Sequence, residues 1–104
     1  MKKILIDERA QKELSKFSLK VQEAFGKRFT VLSEEGKLDF PEARKLTKDL
    51  FEVRIKVGGA YRGIYFYGSD DYIVILHCFQ KKSQKTPPNS VKLAERRLKD
   101  YDTN

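Results

Sequence analysis

The residues in this chain best suited to chemistry are cations spread over its second half: Arg54, Lys56, Arg62, Lys81, Lys82 and Lys85, with the single histidine, His77, among them. Arginine offers a planar, bidentate fork and lysine a mobile point charge, so together they suit a phosphodiester backbone. The chemistry such groups can support is RNA cleavage by the 2′-hydroxyl. There the substrate carries its own nucleophile, and the protein aligns it and stabilises the charge added at phosphorus. Proton transfer still needs a base and an acid. With one histidine a two-histidine nuclease is excluded, and at least one role falls to Lys, Tyr or the substrate. One cysteine, Cys78, and one histidine cannot form an internal disulfide or a zinc site of ordinary spacing, so no metal and no cofactor are expected.

These cations matter only if the fold gathers them. In Asp7–Phe17, Ala10, Leu14 and Phe17 recur on a helical period, with Asp7 placed to cap. Ser18 can cap a second helix carrying Val21, Ala24, Phe25, Arg28 and Leu32 on one stripe, which Gly36 ends. Lys2–Ile6 is a short strand candidate. From Lys48 the period becomes two: Phe51, Val53, Ile55 and Val57 alternate with Glu52, Arg54 and Lys56. Gly58-Gly59 signals a hairpin turn into Ala60–Tyr67, and Gly68–Asp71 turns the chain into a third strand, Tyr72–Gln80. Pro87-Pro88 stops the sheet, and Asn89 or Ser90 can cap a last helix bearing Val91, Ala94, Leu98 and Tyr101 on one face; Tyr101–Asn104 reads as a frayed tail.

The expected layout is β-α-α-β-β-β-α, an α+β fold with a helical hairpin and a C-terminal helix against one face of a twisted antiparallel sheet. On the other face Arg54 and Lys56 belong together, and Arg62 sides with Ile64 and Phe66. Strict alternation puts His77, Phe79 and Lys81 on the side of Ile73 and Ile75. Tyr61, Tyr65 and Tyr67 share a face suited to packing, and Cys78, opposite His77, reads as a small buried hydrophobe.

The 104 residues fit one domain, spanning 1–104, and 39% apolar residues supply a core without staples. The longest wholly aliphatic run, Ile73–Leu76, is far short of a membrane span, and no signal-peptide core follows Met1-Lys2-Lys3. A reducing, cytoplasmic setting without a membrane is expected. Net charge is +7, and from Lys81 onward seven basic residues face three acidic ones, which favours a polyanionic partner.

Leu50-Phe51-Glu52-Val53-Arg54, Tyr61-Arg62-Gly63-Ile64-Tyr65, the run Ile75–Pro87 containing Leu76-His77-Cys78-Phe79-Gln80-Lys81-Lys82, and Ala94 with Arg97 carry a resemblance. Over nearly its whole length the chain resembles the RelE/ParE toxin superfamily, best its phage-derived, HigB-like branch. That resemblance implies a RelE-like fold and the toxin of a type II toxin–antitoxin module, of which many cleave messenger RNA in the ribosomal A site. It implies that Arg54 and Arg62 hold substrate phosphates, that Lys81, Lys82 and Lys85 form a basic functional loop, and that His77 and Tyr101 are further candidates. The catalytic set is then Arg54, Arg62, Lys81, Lys82 and His77, with Lys56, Lys85 and Tyr101 binding RNA. The expected partners are ribosome-bound mRNA and a cognate antitoxin, HigA-like with a helix-turn-helix, that masks the cations. Cys78 and Gly63 depart from the commoner pattern, and Gly63 is expected to loosen the middle strand. Two other functions fit the same residues: a ParE-like inhibitor of DNA gyrase and a non-catalytic RNA- or ribosome-binding module. In the plainest reading Arg54 and Arg62 merely pair with Glu52 or with C-terminal acids.

Overall fold

Asp7 and Ser18 start helices because each side chain accepts a backbone N–H of the first turn, from Arg9 and Val21 respectively. The helices they open are α1 (Glu8–Ser15) and α2 (Leu19–Glu35), the latter closed by Gly36 at φ 79°. This is seen in a computed structural model, which describes residues 1–69, 71–82 and 85–101. Five strands accompany the helices: β1 (Lys3–Ile6), β2 (Ala43–Lys45), β3 (Phe51–Lys56), β4 (Ala60–Tyr67) and β5 (Tyr72–Lys81). A third helix, α3 (Pro88–Leu98), runs into a short 3₁₀ turn, Lys99–Tyr101. Asp70 in the second turn, Ser83 and Gln84 in the basic loop, and residues 102–104 of the expected frayed tail lie outside the described residues.

The sheet order is β1-β5-β4-β3-β2, and three helices pack on it in an α+β arrangement. The β3–β4–β5 meander pairs antiparallel as its short turns require, with Gly58 at φ 62° in the first of them. Several features differ from the expectation. β1 pairs parallel to β5, so the sheet is mixed. Residues 43–45 add the fifth strand, too short to show an alternation. The last helix starts at Pro88 after Pro87, with no capping by Asn89 or Ser90.

Another is where α3 lies. One core joins α1 and α2 to Val53, Ile55, Tyr65, Ile73, Ile75 and Cys78. A second, on the opposite sheet face, joins Ala94 of α3 to Leu50, Ile64, Phe66, Val74 and Leu76. The sheet is therefore covered on both faces, and Arg54 and Arg62 stand outside the core that packs under α3.

A bulge sets the face of the cations on β5. Ile64 pairs with His77 but Tyr65 with Ile75, so Leu76 is an extra residue in β5. The alternation inverts there, because one added residue moves every later side chain across the sheet. Phe79 packs with the α3 core and Cys78 with the hairpin core. The expectation that His77, Phe79 and Lys81 share a side with Ile73 and Ile75 is corrected accordingly: Phe79 stands directly opposite Arg62, and Lys81 opposite Ala60.

Candidate nucleic-acid interface

Strand pairing places Arg54 opposite Arg62, and Arg44 of β2 opposite Glu52 of β3. Two guanidinium groups on facing positions of neighbouring strands repel. Glu52 offsets this. It is fully buried, and its Oε1 lies 3.1 Å from Arg44 Nε, 3.6 Å from Arg62 Nε and 3.9 Å from Arg54 Nε. Thr86 Oγ1 donates to Glu52 Oε2 and accepts from Arg44 Nη2 at 3.2 Å, which ties the far end of the basic loop to the same carboxylate. Arg62 Nη1 also donates to the Tyr61 carbonyl at 2.9 Å.

One carboxylate cannot neutralise three arginines, and Lys81 lies within reach of the same charges. The excess positive charge is held in place and partly dehydrated: Arg62 is 12% exposed, Arg54 28% and Arg44 38%. The Nε groups of Arg54 and Arg62 are buried and make no hydrogen bond among the described residues. Burial lowers the pKa of Arg62, with Glu52 opposing and the other arginines reinforcing the shift; the group remains a guanidinium. Lys81 is lowered as well, by desolvation first and then by the charge of Arg62. Beside this cluster is a cavity of about 410 Å³ lined by Glu42, Arg54, Lys56, Arg62 and Arg28. The arrangement suits a bound phosphate: fixed donors and surplus positive charge beside an open cavity.

Lys82 and Lys85 are exposed in the loop that leaves β5. The structure does not bring His77 and Tyr101 into the arginine cluster. His77 is buried at the bulge, stacked on Phe79 with ring centroids 4.9 Å apart, and its Nδ1 lies 2.9 Å from Glu13 Oε1. Glu13 also accepts from the Cys78 amide at 3.1 Å and from Arg97 Nη2 at 2.9 Å, while Arg97 Nη1 donates to the Leu76 carbonyl at 2.8 Å. Burial alone would raise the Glu13 carboxyl, but these hydrogen bonds outweigh it and hold the pKa at about 2. The group clamps α1 and α3 onto the irregular stretch of β5. Tyr101 packs its ring near Phe66 and donates its hydroxyl to Asp7 Oδ2 at 2.6 Å. Phe66 is four residues along β4 from Arg62, about 13 Å away.

Arg54, Arg62 and Lys81 are legible in the sequence pattern as site residues; Arg44 and Thr86 have no role in it, and Glu52 figures there only as a salt-bridge partner. Arg44 carried no signal because its strand is three residues long. Glu52 did carry one: a carboxylate two residues before Arg54, on the same strand face.

A family model described as phage-derived protein Gp49-like matches residues 12–99. No curated protein matches the chain. Among solved structures, the chain is similar to a mutant of the E. coli toxin RelE in the free state, at TM-score 0.71 and 19% identity, covering 91% of this chain and 95% of that one. It is similar to the intact E. coli RelBE toxin–antitoxin complex at TM-score 0.65 and 19% identity, covering 80% and 100%. An archaeal RelE–RelB complex from Pyrococcus horikoshii matches at TM-score 0.57 and 22% identity, covering 81% and 98%. These likenesses establish the fold.

Proposed function

The chain belongs to the phage-derived Gp49-like family, and on that footing we propose that it is the toxin of a type II toxin–antitoxin module that cleaves messenger RNA on the ribosome, in the manner of the HigB-like branch. The observation that carries this reading is the convergence of Arg44, Arg54 and Arg62 on buried Glu52, with Lys81 beside them on the neighbouring strand.

In the proposed reaction the 2′-oxygen attacks the adjacent phosphorus and the bond to the 5′-oxygen breaks, leaving a 2′,3′-cyclic phosphate and a 5′-hydroxyl. Arg54 and Arg62 hold the non-bridging oxygens and stabilise the charge that builds on them. Lys81, whose ammonium form is disfavoured by burial and by Arg62, gives its proton to the departing 5′-oxygen. Glu52 is sealed from the substrate and cannot serve as base. Glu42 is the carboxylate lining the cavity and takes the 2′-proton. Lys56, Lys82 and Lys85 hold flanking phosphates. His77 acts at a distance, through the bulge that sets the face of Lys81, and Tyr101 through the packing of the C-terminal turn.

Two of the similar structures are toxin–antitoxin complexes, which supports a cognate antitoxin here, expected to carry a HigA-like helix-turn-helix and an acidic segment over the cations. Ribosomal mRNA as substrate puts the protein in the cytoplasm. The test is Arg62→Ala, mapped by primer extension on translated mRNA with circular dichroism as the folding control. Cleavage and growth arrest should disappear with the fold intact. Undiminished cutting by that variant refutes the assignment, and inhibition of DNA supercoiling without cut ends would transfer the protein to the gyrase class.

A further inference from the structure

Phe40 is 73% exposed and belongs to neither core, yet the Arg54 guanidinium lies over its ring, 5.5 Å from the centroid. It directly precedes Pro41, which lines the cavity beside the arginine cluster. That cavity does not end at the active face. A second one, of about 270 Å³, shares Arg28, Ile55 and Lys56 with it and adds Lys27 and Ala24 of α2. The groove turns the edge of the sheet there because β2 pairs with β3 from Phe51 to Val53, with one more backbone bond from the Arg54 N–H to the Glu42 carbonyl, so Ile55 and Lys56 have no described strand beyond them. Lys27, Arg28 and Lys56 form no ion pair among the described residues.

An exposed aromatic ring alternating with unpaired cations is the combination that binds single-stranded nucleic acid: the ring stacks on a base and the cations follow the backbone. Resting on the nuclease reading above, we infer that Phe40 and Arg28 form a nucleotide subsite next to the scissile phosphate. Phe40 stacks on a base of single-stranded RNA, and Arg28 with Lys56 holds the phosphate that leads the strand round the β3 edge towards α2. Arg54 serves both sites, its guanidinium forming one side of the stack.

The chain contains no tryptophan, so Phe40→Trp installs a single indole at the stacking position, which can be excited at wavelengths the five tyrosines do not absorb. Titration of that variant with a 2′-O-methyl hexanucleotide, which cannot be cut, should quench its emission saturably. The same backbone with abasic sugars should bind with little quenching. Phe40→Ala should weaken the hexanucleotide about tenfold and Phe40→Trp should not. Arg28→Ala should lower the salt dependence of binding by about one unit of slope. Absence of quenching, or unchanged affinity of Phe40→Ala, overturns the subsite. Cleavage of translated mRNA, run in parallel, separates the two readings: cutting without quenching removes the subsite alone, and quenching without cutting leaves an RNA-binding subsite on a protein that is not a nuclease.

Discussion

Glu52 lets three guanidinium groups occupy one patch, and it does so from a fully buried position. Removing one partner of a buried charge group leaves the others unpaired, which costs about 3–5 kcal/mol. Glu52→Ala should lose stability on that scale in denaturant titrations, and activity with it. Glu52→Gln, which keeps the shape and the Thr86 contact, should fold better than Glu52→Ala while still cutting poorly. A fully active Glu52→Ala would show that the arginines need no internal counter-charge. Cys78 is an opposite case, a titratable group with no task. Burial pushes its thiol up to about 12, so a maleimide should react with it only after unfolding.

Elements are joined at two places that fix the face carrying the arginine cluster. The first is the bulge, where Glu13 binds His77, Arg97 and the Cys78 amide. Glu13 is depressed to about 2 in the fold, and Asp7 lies well below the carboxylate range because Arg9 and Tyr101 bond it. A depressed carboxylate stabilises the fold fully above its unfolded pKa, and that contribution disappears as pH falls towards the folded value. Stability should therefore fall from about pH 5 down to pH 2 and, for the Asp7 part, below it, with Glu13 contributing on the order of 3 kcal/mol. Glu13→Gln should be less stable at neutral pH and have a flatter acid profile by thermal melts. The second place is Gly63. A Cβ there would come within 3.0 Å of Val53 Cγ1 and 3.2 Å of Phe25 Cε1, both in the buried core. The glycine thus seats α2 on the sheet, whereas the sequence pattern suggested a loosened strand. Gly63→Ala should cost about 1–3 kcal/mol by overpacking. An equally stable variant would mean that α2 can shift.

At the scale of the molecule, the net charge of +7 includes the arginine cluster around Glu52 and the exposed lysines of the loop after β5. Lys82 and Lys85 are exposed, so on the proposed reading they would attract RNA at long range, an effect that salt screens. Arg54 and Arg62 are largely shielded from water, so on the same reading they would hold a phosphate at contact. Binding of uncuttable RNA should fall steeply with salt, and Lys82→Ala with Lys85→Ala should flatten that slope. Loss of Arg62 should abolish cleavage at every salt concentration. A slope unchanged by the double lysine variant would show that the loop does not meet RNA.

Local order was legible in the chain itself. Asp7, Ser18 and Gly36 mark helix ends through groups a few residues away, and the alternation from Phe51 to Tyr67 reports strands whose two faces meet different surroundings. The arginines on β3 and β4 could be matched because one tight turn fixes their register. What tertiary structure decided lay beyond such ranges: β1 beside β5, α3 on the second face, and Arg44 brought to Glu52 by a strand of three residues. The side taken by Phe79 and Lys81 depended on one extra residue, Leu76, whose bulge is held by Glu13 and Arg97 from 63 and 21 positions away. A periodic pattern carries no record of where its phase will slip. The slip is set by partners that only folding brings near.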